Sequence, residues 1–124
     1  GGGANGAGAG AGLDAGNGRT VYFDYDKSPV KEEYRSVVEA NARRLAGNRS
    51  LKVMIEGHTD ERGGHEYNLA LGQRRAESVQ AAMKLMGAGD SQMESVSFGK
   101  ERPAVQGSNE AAWSKNRRAE IKDR

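Results

Sequence analysis

Four ionisable side chains crowd into one short segment, Gly57-His58-Thr59-Asp60-Glu61-Arg62-Gly63-Gly64, bounded by glycines and placed directly after an apolar run. Such a segment could do acid–base chemistry, bind a metal, grip a small charged ligand, or serve as a solvated turn. Acid–base work by His58, Asp60 and Glu61 lacks the companions it needs. The chain has no cysteine, and no serine sits in a nucleophile-elbow setting. A metal site would call on His58 and His65, but seven residues across a glycine-containing loop is not a standard ligand spacing, and no His-x-x-x-His pair occurs. The ionic grip is the chemistry that the surrounding pattern supports.

That support comes from the helix expected after the turn. At about 100° per residue, Arg75 falls roughly 60–70° from the centre of the apolar stripe, on the border between core and solvent, while Arg74 points outward. Asn68 lies two turns earlier on nearly the same line, and Leu71 adjoins that edge. A carboxylate at Asp60 would attract an ammonium. A guanidinium at Arg75 would take a carboxylate in a two-pronged fork. Together they suit a zwitterion such as the free end of an amino acid. Spacing is equally compatible with a structural ion pair between these two residues, and a turn aspartate commonly bonds nearby backbone amides. Gly63 and Gly64 are expected to supply the unusual backbone angles of the turn.

The elements that must position these groups can be read along the chain. Arg19 to Tyr25 is rich in β-branched and aromatic residues and reads as a strand. Ser28 and Pro29 offer an N-cap and first helical position, followed by an amphipathic helix through Val30, Tyr34, Val37, Val38, Ala42 and Leu45. Leu51 to Gly57 reads as a buried central strand. A helix from Glu66 to Met86 follows, with Leu69, Gly72, Ala76, Val79, Met83 and Met86 as its apolar stripe. Residues 94–99 form a further strand, residues 100–113 an irregular segment with a turn or short helix, and residues 117–123 a last strand. The order β-α-β-α-β-β predicts an α/β two-layer sandwich, a mixed sheet covered by helices on one face. The turn after its central strand is where open α/β folds gather ligand-binding groups.

Residues 1–18 hold nine of the eighteen glycines and one large apolar residue, Leu13. They cannot bury enough surface to offset the entropy of ordering them, so a flexible tether is expected there and a single domain over residues 19–124. A net charge of +2 with 29% charged residues asks for no polyanionic partner. The basic pair Arg117-Arg118 is diluted by the acids behind it, without aromatic interleaving. Trp113 is expected to cap the core rather than stack on a ligand. No apolar run approaches the ~18 residues of a membrane span, so the stretch is expected to be soluble, with any membrane link arising upstream of Gly1.

Four segments taken in order, GHTDERG, EYNLALGQRRAESV, VSFGKERPA and EAAWSKNRRAEI, resemble the OmpA-like peptidoglycan-binding domain, in its peptidoglycan-associated lipoprotein branch. The family's helix pattern is met at Asn68, Leu71, Gly72, Arg75, Ala76 and Val79, and its turn pattern at Thr59, Asp60 and Gly63. The resemblance implies non-catalytic binding of the peptidoglycan stem peptide through meso-diaminopimelate, with Asp60 and Arg75 holding its free amino and carboxylate groups. It adds Tyr25 and Asp26 after the first strand, Leu71, Asn68 and Thr59, with Arg62 and Arg118 as further members. Tyr25 stands where relatives commonly carry phenylalanine. Implied too are a second partner, the periplasmic propeller protein of the Tol system, and a lipidated N-terminal cysteine, absent from this sequence, that tethers the domain in the periplasm to the outer membrane. An anchor domain of a flagellar-stator or porin-type protein would share the fold, and a wall hydrolase is the enzymatic alternative. No metal or cofactor is implied.

Overall fold

The computed structural model describes residues 18–124; the glycine-rich stretch expected to be a tether lies, up to residue 17, outside the described residues. Four strands form one mixed sheet: β1 (Thr20–Tyr22), β2 (Val53–His58), β3 (Met93–Gly99) and β4 (Arg118–Asp123). Their spatial order is β1-β4-β2-β3. β4 runs antiparallel to both neighbours, and β2 runs parallel to β3. Parallel neighbours need a crossover, which α2 (His65–Leu85) provides. Helix α1 (Arg35–Gly47) links β1 to β2, and the short α3 (Glu110–Asn116) precedes β4. The expected two-layer α/β architecture is therefore present, with α3 inserted before the final strand and its first turn capped by Asn109, whose Oδ1 accepts from the Ala112 amide at 3.0 Å.

The core follows from strand alternation. Val53 and Ile55 of β2, Ala119 and Ile121 of β4, and Val21 of β1 join Val38, Ala42 and Leu45 of α1 and Ala76, Val79 and Met83 of α2 in one buried cluster. Intervening positions, among them Glu56, His58, Arg118, Glu120 and Lys122, share the opposite face. Two glycines set how closely α2 approaches the sheet: a Cβ on Gly57 would overlap the carbonyl oxygen of Gly72, and one on Gly72 would overlap Ser97 Oγ. Backbone therefore packs on backbone here, which brings the first half of α2 within reach of the end of β2.

The first helix begins later than its sequence signals predict. Ser28 and Pro29 do not start it; Lys31 is extended, a 3₁₀ turn occupies Glu32–Tyr34, and α1 proper opens at Arg35. The first strand also stops at Tyr22 rather than reaching Tyr25. The strand ends where its partner does, since Tyr22 pairs with Arg118, the first residue of β4. The carbonyls of Asp24 and Lys27 accept hydrogen bonds from Arg75 of α2, and the Lys27 amide closes a turn onto Asp24 O at 3.1 Å. Long-range bonds to a buried guanidinium fix residues 24–27 as a turn, overriding local helix preference.

Candidate ligand-binding site

A pocket opens where three segments meet. The turn after β2 supplies Thr59, Asp60, Arg62 and Gly63; the start of α2 supplies Tyr67, Asn68, Leu71 and Arg75; the turn after β1 supplies Tyr25 and Asp26. The space between them amounts to about 350 Å³, counted out to its open mouth. Every residue that the resemblance assigns to the ligand lines it except Arg118. That side chain lies elsewhere, paired with Glu120 and donating to the carbonyls of Asn116 and Arg102.

Arg75 is the pocket's innermost cation. Projection places it at the border of the apolar stripe, yet it is fully buried, 0% exposed, because the turn after β1 folds over that edge of the helix. Nε donates to Lys27 O at 2.8 Å, Nη1 to His58 O at 3.0 Å and Nη2 to Asp24 O at 3.1 Å. Three of its five N–H groups thus hold the pocket walls together. Burial pulls its pKa down to about 10, with Asp60 acting in the opposite direction; the group stays charged at neutral pH.

Asp60 does not ion-pair with Arg75. Its Oδ1 accepts from the Arg62 amide at 3.0 Å and from Arg62 Nε at 3.2 Å, and Oδ2 accepts from Arg62 Nη2 at 2.8 Å. Arg117 Nη1 stands 3.6 Å from Oδ2. Burial alone would raise this carboxyl's pKa; the side-chain and backbone bonds from Arg62, with Arg117 behind them, outweigh it and hold the group below its ordinary value. The turn itself is built for this. Thr59 Oγ1 donates to Asp60 O, Asn68 Nδ2 donates to Arg62 O at 3.0 Å, and Gly63 takes φ +99°, a conformation only glycine adopts cheaply. Gly64 needs no such freedom, since its φ is −76° as the residue preceding α2.

The mouth is aromatic. Tyr25, 58% exposed, lies on one side of the Arg62 guanidinium at 4.1 Å, and Trp113 of α3 lies at 3.9 Å. Asp26 adopts φ +57° and accepts from the Tyr67 hydroxyl. Trp113 is thus not the core cap expected of it. Its ring packs on the Arg62 guanidinium in the turn after β2, and its indole N–H donates to Glu61 at 2.9 Å.

Sequence reasoning missed Tyr67 and Arg117. Tyr67 was detectable, since 67, 71 and 75 recur every fourth residue along one helix edge. Arg117 had no local signal: it reaches Asp60 only because α3 and β4 fold beside the turn, and its own partner is Glu110 at 2.8 Å. His58 and His65 stand apart from the pocket. His58 lies beneath the sheet stacked on Phe98, and His65 pairs with Glu101. Among the described residues no group of three His, Cys, Asp or Glu side chains is placed to hold a metal, and no helix is long and apolar enough to cross a membrane.

Residues 22–117 match the OmpA family. The chain is 48% identical over 103 residues to the peptidoglycan-associated lipoprotein of Pseudomonas aeruginosa, covering 83% of this chain and 61% of that one. It is 50% identical over 100 residues to the protein of the same name from Pasteurella multocida, covering 81% and 67%. The chain thus spans about three fifths to two thirds of the length of these relatives. The crystal structure of the peptidoglycan-associated lipoprotein from Burkholderia pseudomallei superposes with a TM-score of 0.85 at 45% identity, covering 90% of this chain and 98% of that one. The C-terminal domain of Helicobacter pylori MotB, at 19% identity and a TM-score of 0.79, shares the fold.

Proposed function

The chain belongs to the OmpA family, in the branch of the peptidoglycan-associated lipoproteins, and from that premise we propose that its domain binds peptidoglycan without catalysis, by gripping the zwitterionic end of meso-diaminopimelate in the stem peptide. The observation that carries this reading is one small pocket lined by both kinds of charge, Asp26 and Asp60 with Arg62 and Arg75. The ligand's ammonium goes to the carboxylate side. Its carboxylate goes to the guanidinium side, toward Arg62 at the mouth, with the fully buried Arg75 behind it bracing the walls. Leu71 and Tyr25 cover the methylenes, and Thr59 and Asn68 keep the turn in shape. The same reading places the domain in the periplasm, tethered to the outer membrane through a segment upstream, with the propeller protein of the Tol system as its second partner.

The test is cosedimentation with purified diaminopimelate-type sacculi. Wild type is expected to pellet, and Asp60→Asn, which keeps the shape and removes the charge, is expected to lose most of that binding. A wild type that stays in the supernatant, or an Asp60→Asn variant that binds as well as wild type, overturns the proposal.

A further inference from the structure

The carboxylate assigned to the ligand is already taken. Asp60 is 5% exposed, and of its roughly four lone-pair positions three accept from Arg62, one from its amide and two from its side chain. An arriving ammonium must displace the side-chain pair, while the amide bond, fixed by the turn, persists. Arg62 has support that does not depend on Asp60. Its guanidinium lies against Tyr25 at 4.1 Å and Trp113 at 3.9 Å, contacts that hold a cation without neutralising it. Displaced from Asp60, the guanidinium stays at the pocket wall with its fork free.

We propose that Arg62 sets the ligand specificity of this site by ion-pair exchange: the ligand's ammonium takes Asp60 from Arg62, and the ligand's carboxylate takes the fork that Arg62 gives up. This rests on the reading of the pocket as a zwitterion grip. One internal ion pair is replaced by two, and no charge is left unpaired. A ligand carrying only an ammonium, such as a lysine side chain, breaks the same pair and returns nothing to Arg62. A ligand carrying only a carboxylate meets an Arg62 already engaged. Arg62 thus acts as the site's own stand-in for the ligand ammonium.

The experiment is calorimetric titration of two stem peptides that differ only at the third residue, diaminopimelate or lysine, against wild type, Arg62→Met and Arg62→Lys, with a thermal melt of each. Methionine keeps an apolar stem between the rings and removes the fork and charge. Wild type is expected to favour the diaminopimelate peptide. In Arg62→Met the lysine peptide should bind more tightly than to wild type and the preference should shrink about tenfold, the scale of a charged hydrogen bond. Arg62→Lys keeps a cation on Asp60 and should still reject the lysine peptide. An unchanged preference in Arg62→Met, parallel weakening of both peptides, or a Lys variant no more selective than the Met variant overturns the exchange while leaving peptidoglycan binding standing. A wild type that binds neither peptide overturns the underlying reading, and the exchange with it.

Discussion

Replacing Arg75 by alanine is expected to damage the fold as well as the site. On the sequence alone Arg75 is a border residue, facing either a ligand or Asp60. The structure assigns its guanidinium to three backbone carbonyls, those of Asp24, Lys27 and His58. A hydrogen bond from a charged donor contributes about 1.5–3 kcal/mol, so the three together are worth several kcal/mol. Against this stands the burial cost. A pKa lowered from 12.5 to about 10, at about 1.36 kcal/mol per unit, means that roughly 3 kcal/mol is spent keeping the charge in the interior, and alanine recovers it. The Asp24 and Lys27 carbonyls sit in exposed residues and can rehydrate; His58 O is buried and cannot. The net expectation is a loss of about 2–5 kcal/mol, concentrated in the turn after β1. Urea unfolding at pH 7, followed by far-ultraviolet circular dichroism, measures it. If Arg75→Ala unfolds within about 0.5 kcal/mol of wild type, the assignment of Arg75 as the brace of the pocket walls is wrong.

Two further outcomes follow from buried groups away from the pocket. His58 is 1% exposed and its pKa is lowered from 6.5 to about 4, chiefly by burial and then by the neighbouring Arg118. The unfolded chain therefore takes up a proton below pH 6.5 that the native state refuses, so stability falls as pH drops from about 6.5 to 4, by up to about 3 kcal/mol. Urea midpoints for His58→Gln should decline less over that window than wild type; identical slopes would contradict a neutral buried imidazole. Gly57→Ala places a methyl group on the Gly72 carbonyl, where neither backbone can yield without separating α2 from β2. A loss of about 3 kcal/mol or more is expected, together with loss of sacculus binding, because His58 O would leave Arg75. A melting temperature equal to that of wild type would show that the contact is not tight.

The fold and most of the pocket were legible in the sequence for definite reasons. Periodicity exposes which face of an element is buried, so the apolar run ending at Gly57 and the stripe through Ala76, Val79 and Met83 place a strand and a helix with the charged turn between them. Asn68, Leu71 and Arg75 then fall on one helix edge by spacing, and Asp60 sits in the turn beside them. The start of α1 was misread because Ser28 and Pro29 are local signals, and a guanidinium 48 residues further on claims the carbonyl of Lys27.

The sequence by itself therefore determined which residues gather at this corner, because that depends on local periodicity and on the position of one turn. Only the tertiary structure decided which of them pair. Ion pairs and hydrogen bonds depend on distances of a few ångströms and on burial, both set by elements far apart in the chain. The turn after β1 covers Arg75 and turns a border cation into a wall brace. The helix before β4 brings Trp113 and Arg117 to the turn and, with Tyr25, fixes Arg62 on Asp60. Identical residue types at identical spacings would serve an Asp60–Arg75 pair equally well. What separates the two arrangements is the set of backbone carbonyls that packing brings to Arg75, which no local pattern records.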